Sequence, residues 1–261
     1  AGVSIGDLFL AAVLPGLLLG SLYVGYVMLR CWANPALGPP APPEELDVPL
    51  AEKLRLLKGL ILPILIIVWV LGSIYGGIAS VTESAGVGCV GAILSAAIRR
   101  ELTLGMLKGA LIQTMTTVGV IIWLTLGANA FIGIYNIMGG TGYLRGLIGG
   151  LPLPPLAIVL VMMLILLVLG SIIDWIGICL LTMPIFVPVI KALGYDPVWF
   201  GVLFCMNMQV SYLTPPFGPA AFYLKGVAPP DVTLQEIFGS VWPFIALQLV
   251  GLTVVLLFPG I

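Results

Sequence analysis

Apolar stretches long enough to span a bilayer recur along the chain, from Leu8 to Leu29, Leu60 to Ile78, Met106 to Ile137 and Leu234 to Leu257. A spanning helix needs about 20 such residues at 1.5 Å rise each, and only helices or closed barrels satisfy their own backbone in lipid. Of the 261 residues, 61% are hydrophobic and 8% charged, against about 25% charged in soluble domains. The first partner of this chain is therefore the lipid bilayer, and the fold class is all-α integral membrane. There is no basic stripe interleaved with aromatics, so nucleic acid is not a partner. Cys31, Cys89, Cys179 and Cys205 stand far apart in or beside apolar runs, and the chain has no histidine. They read as small buried hydrophobes rather than as a transition-metal site or a disulfide scaffold. The absence of a G-x-S-x-G elbow argues against an intramembrane enzyme. The chain opens on Ala1 with neither an initiator Met nor a signal-peptide pattern, and reads as a piece of something longer.

The runs divide the chain into a first transmembrane helix (1–33) and a hydrophilic loop ending in a short amphipathic helix, AEKLRLLKGL (34–58). Further transmembrane helices (59–138), a Gly/Pro-rich outer-interface segment (139–155), a stretch of interrupted apolar runs (156–230) and a final transmembrane helix (231–261) follow. Arg30, Lys53, Arg55 and Lys58 gather at one polar break and Arg99, Arg100 and Lys108 at the next, which the positive-inside rule places in the cytoplasm. Lys225 joins them after two further crossings, while Arg145 and Lys191 fall outside.

Within 156–230, Leu156 to Gly170 meets a polar interruption, Ser171 to Asp174, and a second apolar arm ends at the PIFVP segment, Pro184 to Pro188. Two short arms around a polar tip read as a re-entrant hairpin. The helix from Pro197 then breaks at Thr214-Pro215-Pro216. Paired prolines remove two donors and free carbonyls about four residues earlier, around Ser211 and Tyr212. With the Ser211 and Thr214 hydroxyls those carbonyls suit a hard cation such as Na⁺; the alternative is a kink without a ligand. Asp174 is either a functional carboxylate at membrane depth or the cap of the second arm. Thr82 and Glu83, after Gly76-Gly77, read as a gate or ion ligand, or Glu83 as a helix-start carboxylate. Asn207 and Gln209 are polar enough to hydrogen-bond across a helix bundle.

The segments GSIYGGIASVTESAGV, GSIIDWIGICLLTMPIFVPVIKALGYDP and SYLTPPFGPAAFYLKGVAP together resemble the large membrane subunit of the tripartite ATP-independent periplasmic (TRAP) transporters, and the likeness runs over nearly the whole chain. The resemblance implies one inverted-repeat half of an elevator-type, Na⁺-coupled importer in the bacterial inner membrane, with a re-entrant hairpin and a Pro-broken helix. It implies as partners a small membrane subunit, a periplasmic solute-binding protein and the first-repeat half, here absent. It places the site at Gly170, Ser171, Asp174, Ser211, Thr214, Pro215, Pro216 and Gly218, with Na⁺ as coupling ion and no other cofactor. Its substrates are organic acids, and the TPPFGPAAFYLKGVAP wording leans to monocarboxylates. A permease of related architecture working without a binding protein, and a non-transporting scaffold, are the competing readings. For orientation, a cysteine placed beside Arg99 is expected to resist an impermeant thiol reagent added outside, and one beside Lys191 to react; the reverse labelling would invert the topology.

Overall fold

The computed structural model describes residues 3–38, 49–140, 142–143, 146, 153–215, 218–229 and 231–259, the side chains at 50, 51, 53–56 and 58 excepted. Most of the 139–155 interface segment, Arg145 and Pro216 thus lie outside the described residues, as do the side chains of Lys53, Arg55 and Lys58. The elements are α1 (Ile5–Ala11), α2 (Val13–Ala33), α3 (Leu50–Tyr75), α4 (Val81–Ile98), α5 (Leu104–Ile137), α6 (Pro155–Gly170), α7 (Trp175–Ala192), α8 (Pro197–Leu213), α9 (Pro219–Val227) and α10 (Leu234–Leu257), with no strand among the described residues. Among the described residues, five stretches are long and apolar enough to cross a membrane: Ile5–Ala33, Val81–Ile98, Leu104–Ile137, Trp175–Ala192 and Leu234–Leu257. α5, at 34 residues, carries no buried residue. It spans about 50 Å at 1.5 Å per residue, longer than the roughly 30 Å hydrocarbon core. Trp32, Leu104 and Trp123 are among the many large apolar side chains left exposed, as suits a surface solvated by lipid.

Helix starts follow local chemistry. Ser80 with Glu83, and Thr233 with Glu236, form capping boxes on α4 and α10. Asp174 and Asp196 accept from the Ile176 and Val198 amides to cap α7 and α8. Proline opens α6, α8 and α9, where its missing amide costs no helical bond.

Packing divides the chain into two compact units, 27–117 and 1–26 with 118–261. In the first, α3 and α4 lie against each other. A Cβ on Gly88 would meet Val70 Cγ2 at 3.2 Å and one on Gly91 would meet Ile66 Cγ1 at 3.0 Å, so small residues set how near the helices come. The buried Ser73 and Ser84 hydroxyls pair at 2.8 Å, and Arg99 donates to the Gly59 carbonyl at 2.6 Å. The amphipathic segment expected as a separate helix is instead continuous with the following span, because Lys58-Gly59 carries no breaker strong enough to stop α3.

The larger unit is built around α8, which packs on α1, α6, α7, α9 and α10. Phe200, Leu203, Val159, Leu166, Ile178 and Ile190 are almost wholly buried there. The second arm does not stop at PIFVP: α7 runs through Pro184 and Pro188 to Ala192, as membrane helices can when neighbours support the freed carbonyls. The cysteines also differ from expectation, since Cys89 and Cys205 are exposed and only Cys31 and Cys179 are half-buried, all four as free thiols. Facing outward on apolar helices, an exposed thiol meets no penalty in lipid.

The Val255 carbonyl belongs to the last turn of α10, which has no amide four residues on inside the helix. The Trp199 indole fills that role, donating to it at 2.9 Å. Trp199→Phe keeps an aromatic ring but removes the indole N–H with part of the bicycle and strands a buried carbonyl, and is expected to lower stability by at least about 1–2 kcal/mol, read as a reduced melting temperature in detergent. An unchanged melting temperature would contradict the assignment.

Candidate functional site

The turn between α6 and α7 is closed by its own backbone. The Ser171 amide donates to the Leu167 and Val168 carbonyls at 3.2 and 3.3 Å, and the Ile172 and Ile173 amides donate to the Leu169 carbonyl at 3.0 and 2.8 Å. The Ser171 hydroxyl donates to the Val168 carbonyl at 2.7 Å. Asp174 Oδ2 accepts from the Ile176 amide at 3.1 Å, so this carboxylate caps α7 while remaining exposed.

The interruption after α8 is closed in a similar way. Thr214 leaves the helix in an extended conformation. Its amide donates to the Val210 and Ser211 carbonyls at 3.1 and 3.2 Å, and its hydroxyl donates to Val210 at 2.7 Å. The Ser211 carbonyl, expected to be freed by the prolines, is therefore engaged by Thr214. Ser211 Oγ donates to the Asn207 carbonyl at 3.2 Å. The chain re-enters helix at Pro219, and the Gly218 amide closes back on the Thr214 carbonyl at 3.0 Å. A Cβ on Gly218 would sit 2.8 Å from Phe238 Cε1 and 3.2 Å from the Leu213 carbonyl, so the interruption folds back this tightly only with glycine there.

These two interruptions meet. A narrow crevice is lined by Gly170, Ile173, Asp174 and Trp175 on one side and by Met208, Ser211, Tyr212 and Pro219 on the other. Of the residues singled out from sequence, Gly170, Asp174 and Ser211 line it directly, while Ser171 and Thr214 belong to the segments on either side without lining it. Pro215 follows Thr214 as a partly exposed turn residue. Thr82 and Glu83 belong to the other unit. Glu83 Oε2 accepts from the Ser80 amide and hydroxyl at 2.8 and 2.7 Å, serving the start of its own helix. Each of the Ser171, Ser211 and Thr214 hydroxyls gives its proton to a helix carbonyl. A hydroxyl so engaged keeps its oxygen lone pairs for a cation or a donor.

Beside the crevice lies an open groove of about 560 Å³ that sequence reading missed. Tyr23, Trp175, Gln209, Tyr212, Phe244 and Gln248 are among its lining residues, supplied by α2, α7, α8 and α10. Tyr23 and Phe244 stack edge to face at 5.4 Å. No spacing in the sequence announces a surface assembled from four helices; only the unusual aromatic and amide content of otherwise aliphatic spans hints at it. Gln209, expected to bond across the bundle, is exposed on this groove.

Gly170, at the end of α6, lies close against Ser211 on α8. A Cβ there would overlap Ser211 Oγ and lie 2.5 Å from Ser211 Cβ. Gly170→Ala is expected to push the turn off α8 and lower stability by about 2 kcal/mol, with Gly170→Ala/Ser211→Gly recovering most of it in the same melting assay. Full stability of the single variant would remove the close approach.

The family model for the DctM component of the tripartite ATP-independent periplasmic transporters matches residues 1–261. The isethionate TRAP transporter permease protein DctMQ of Oleidesulfovibrio alaskensis is 29% identical over 100% of this chain and 40% of its own length. The C4-dicarboxylate TRAP transporter large permease protein DctM of Pseudomonas aeruginosa is 29% identical over 99% of this chain and 59% of its own. The sialic acid TRAP transporter large permease protein SiaM of Vibrio cholerae is 30% identical over 99% and 59%. The chain thus spans 40% to 59% of the length of these relatives. With the matched family model extending from end to end and membrane-length apolar helices throughout, the chain belongs to the DctM component family of the tripartite ATP-independent periplasmic transporters, multi-pass permease proteins of the bacterial inner membrane and not enzymes.

Proposed function

We propose that the chain is the second half of the large permease subunit of a Na⁺-coupled secondary importer of organic acids that depends on a binding protein. The observation that carries this reading is the meeting of two interrupted helices at one crevice, lined by Gly170, Asp174 and Ser211, with Ser171 and Thr214 in the adjoining segments. Interrupted helices at membrane depth are tolerated where they line a site, and their termini and carbonyls suit ions and anionic solutes. In this reading α6 and α7 are the arms of a re-entrant hairpin, α8 and α9 are the broken helix, and the unit moves in an elevator-type cycle against a scaffold. The first-repeat half, a small membrane subunit and a periplasmic solute-binding protein complete the transporter. The solute class follows four of the relatives, whose names give C4-dicarboxylate, 2,3-diketo-L-gulonate, sialic acid and isethionate as what they carry, each an acid, beside one named for ectoine and 5-hydroxyectoine.

Na⁺ is held by oxygen cages of low net charge, so the hydroxyls matter more than added carboxylates. In the complete reconstituted transporter, Ser171→Ala and Thr214→Ala are each expected to raise the Na⁺ concentration for half-maximal uptake about tenfold, the loss of about 1.4 kcal/mol of binding, with expression intact. Replacing Pro215 and Pro216 together by Ala re-forms a continuous helix and is expected to uncouple uptake from Na⁺ without removing any polar side chain. Normal Na⁺ dependence in all three variants would reject the ion site, and uptake that ignores added binding protein would favour a permease that works without one.

A further inference from the structure

Asn207 is fully buried (0% exposed) in α8, between Met206 and Met208, which are buried as well. Its Nδ2 donates to the Met163 carbonyl on α6 at 2.8 Å. A carbonyl only accepts, so the amide must present its nitrogen there, and its Oδ1 is left with no partner among the described residues. One turn further on, Ser211 Oγ donates to the Asn207 carbonyl at 3.2 Å, and the Ser211 side chain occupies the space that a Cβ on Gly170 would need. Residues four and seven apart share a helix face, so Asn207 and Ser211 on α8 grip Met163 and Gly170 on α6 at two points. The second point borders the crevice.

A leucine at 207 keeps the same branched skeleton, with two bulkier methyl groups for the amide nitrogen and oxygen, and leaves no orphaned oxygen, whereas burying an unsatisfied polar atom is costly. Added stability is therefore not what the amide supplies. Apolar side chains hold a facing helix without direction, whereas an N–H donor aimed at one carbonyl admits one register along it. We infer that Asn207 is a positioning residue, whose bond to the Met163 carbonyl sets the register in which the Ser171–Asp174 turn meets the Thr214 interruption. Its functional consequence rests on the crevice being the ion site proposed above; the register does not.

The test uses the complete transporter with its native cysteines replaced and spin labels on Ile172→Cys, in the turn, and Trp242→Cys, on α10, both exposed positions. Because α10 packs on α8, their distance reports the turn against α8. Asn207→Leu is expected to shift or broaden that distance distribution and to raise the Na⁺ concentration for half-maximal uptake about tenfold, at an unchanged melting temperature. Asn207→Asp, whose carboxyl stays neutral when buried and keeps a donor for Met163, is expected to restore both. An unshifted distribution in the leucine variant overturns the inference, as does a shift that appears only together with a lowered melting temperature. If the leucine variant does not fold, the aspartic acid variant decides, and a displaced turn there overturns it. Indifference of the unsubstituted transporter to Na⁺ would remove the ion reading alone, since the spin-label distance needs no ion.

Discussion

A backbone amide or carbonyl left unpaired in hydrocarbon costs several kcal/mol, and each break in these helices is shaped by that penalty. At the turn after α6, the amides of Ser171, Ile172 and Ile173 fold back onto the carbonyls of residues 167–169, and Asp174 takes an amide of α7. After α8, Thr214 uses both its amide and its hydroxyl on one carbonyl, and Gly218 closes on Thr214. Among the described residues, these bonds pair several of the backbone groups that stopping and restarting two helices would otherwise leave bare.

The same closure prepares the candidate site. Serine and threonine hydroxyls that donate to the preceding turn are fixed in rotamer and direction, and their oxygens remain acceptors. In the ion site proposed above, groups held in this way would not need to be reoriented, which would lower the ordering cost of binding. Gly170 lets the turn approach Ser211 on α8, and Gly218 lets the interruption close against Phe238 and the Leu213 carbonyl; a side chain at either position would forbid that contact.

Helix association in this chain uses few strong contacts. Glycines set the approach of α3 to α4 through Ile66 and Val70, a serine pair joins them, and two side-chain-to-backbone bonds, Trp199 to Val255 and Asn207 to Met163, cross the larger unit. Lipid is as apolar as leucine, so burial of leucine against leucine drives association weakly there and directional bonds decide the geometry. Many large apolar side chains remain exposed, including nearly all of α5. The chain spans 40% to 61% of the length of the relatives it matches, so lipid is only one of the surroundings open to those faces in the whole permease.

The sequence by itself determined the all-helical membrane class, most helix positions and the two interruptions. Each of these depends on local quantities: run length of apolar residues, proline pairs, and capping residues such as Ser80, Asp174 and Thr233. It also carried the family, through spaced segments that the matched family model reproduces over residues 1–261. It did not show that α3 is continuous or that α7 passes through Pro184 and Pro188, because a weak breaker inside a helix yields to packing and to the cost of unpaired backbone in lipid. Glu83 and Asp174 were each open between two roles until their hydrogen bonds were known, since a carboxylate near a helix start suits both. Only the tertiary structure brought Gly170 to Ser211 and Asn207 to Met163, and assembled the groove around Tyr23 and Phe244. Those pairings join residues 41 and 44 or more positions apart on separate helices, and helix periodicity fixes which face a residue occupies without fixing which other helix that face will meet.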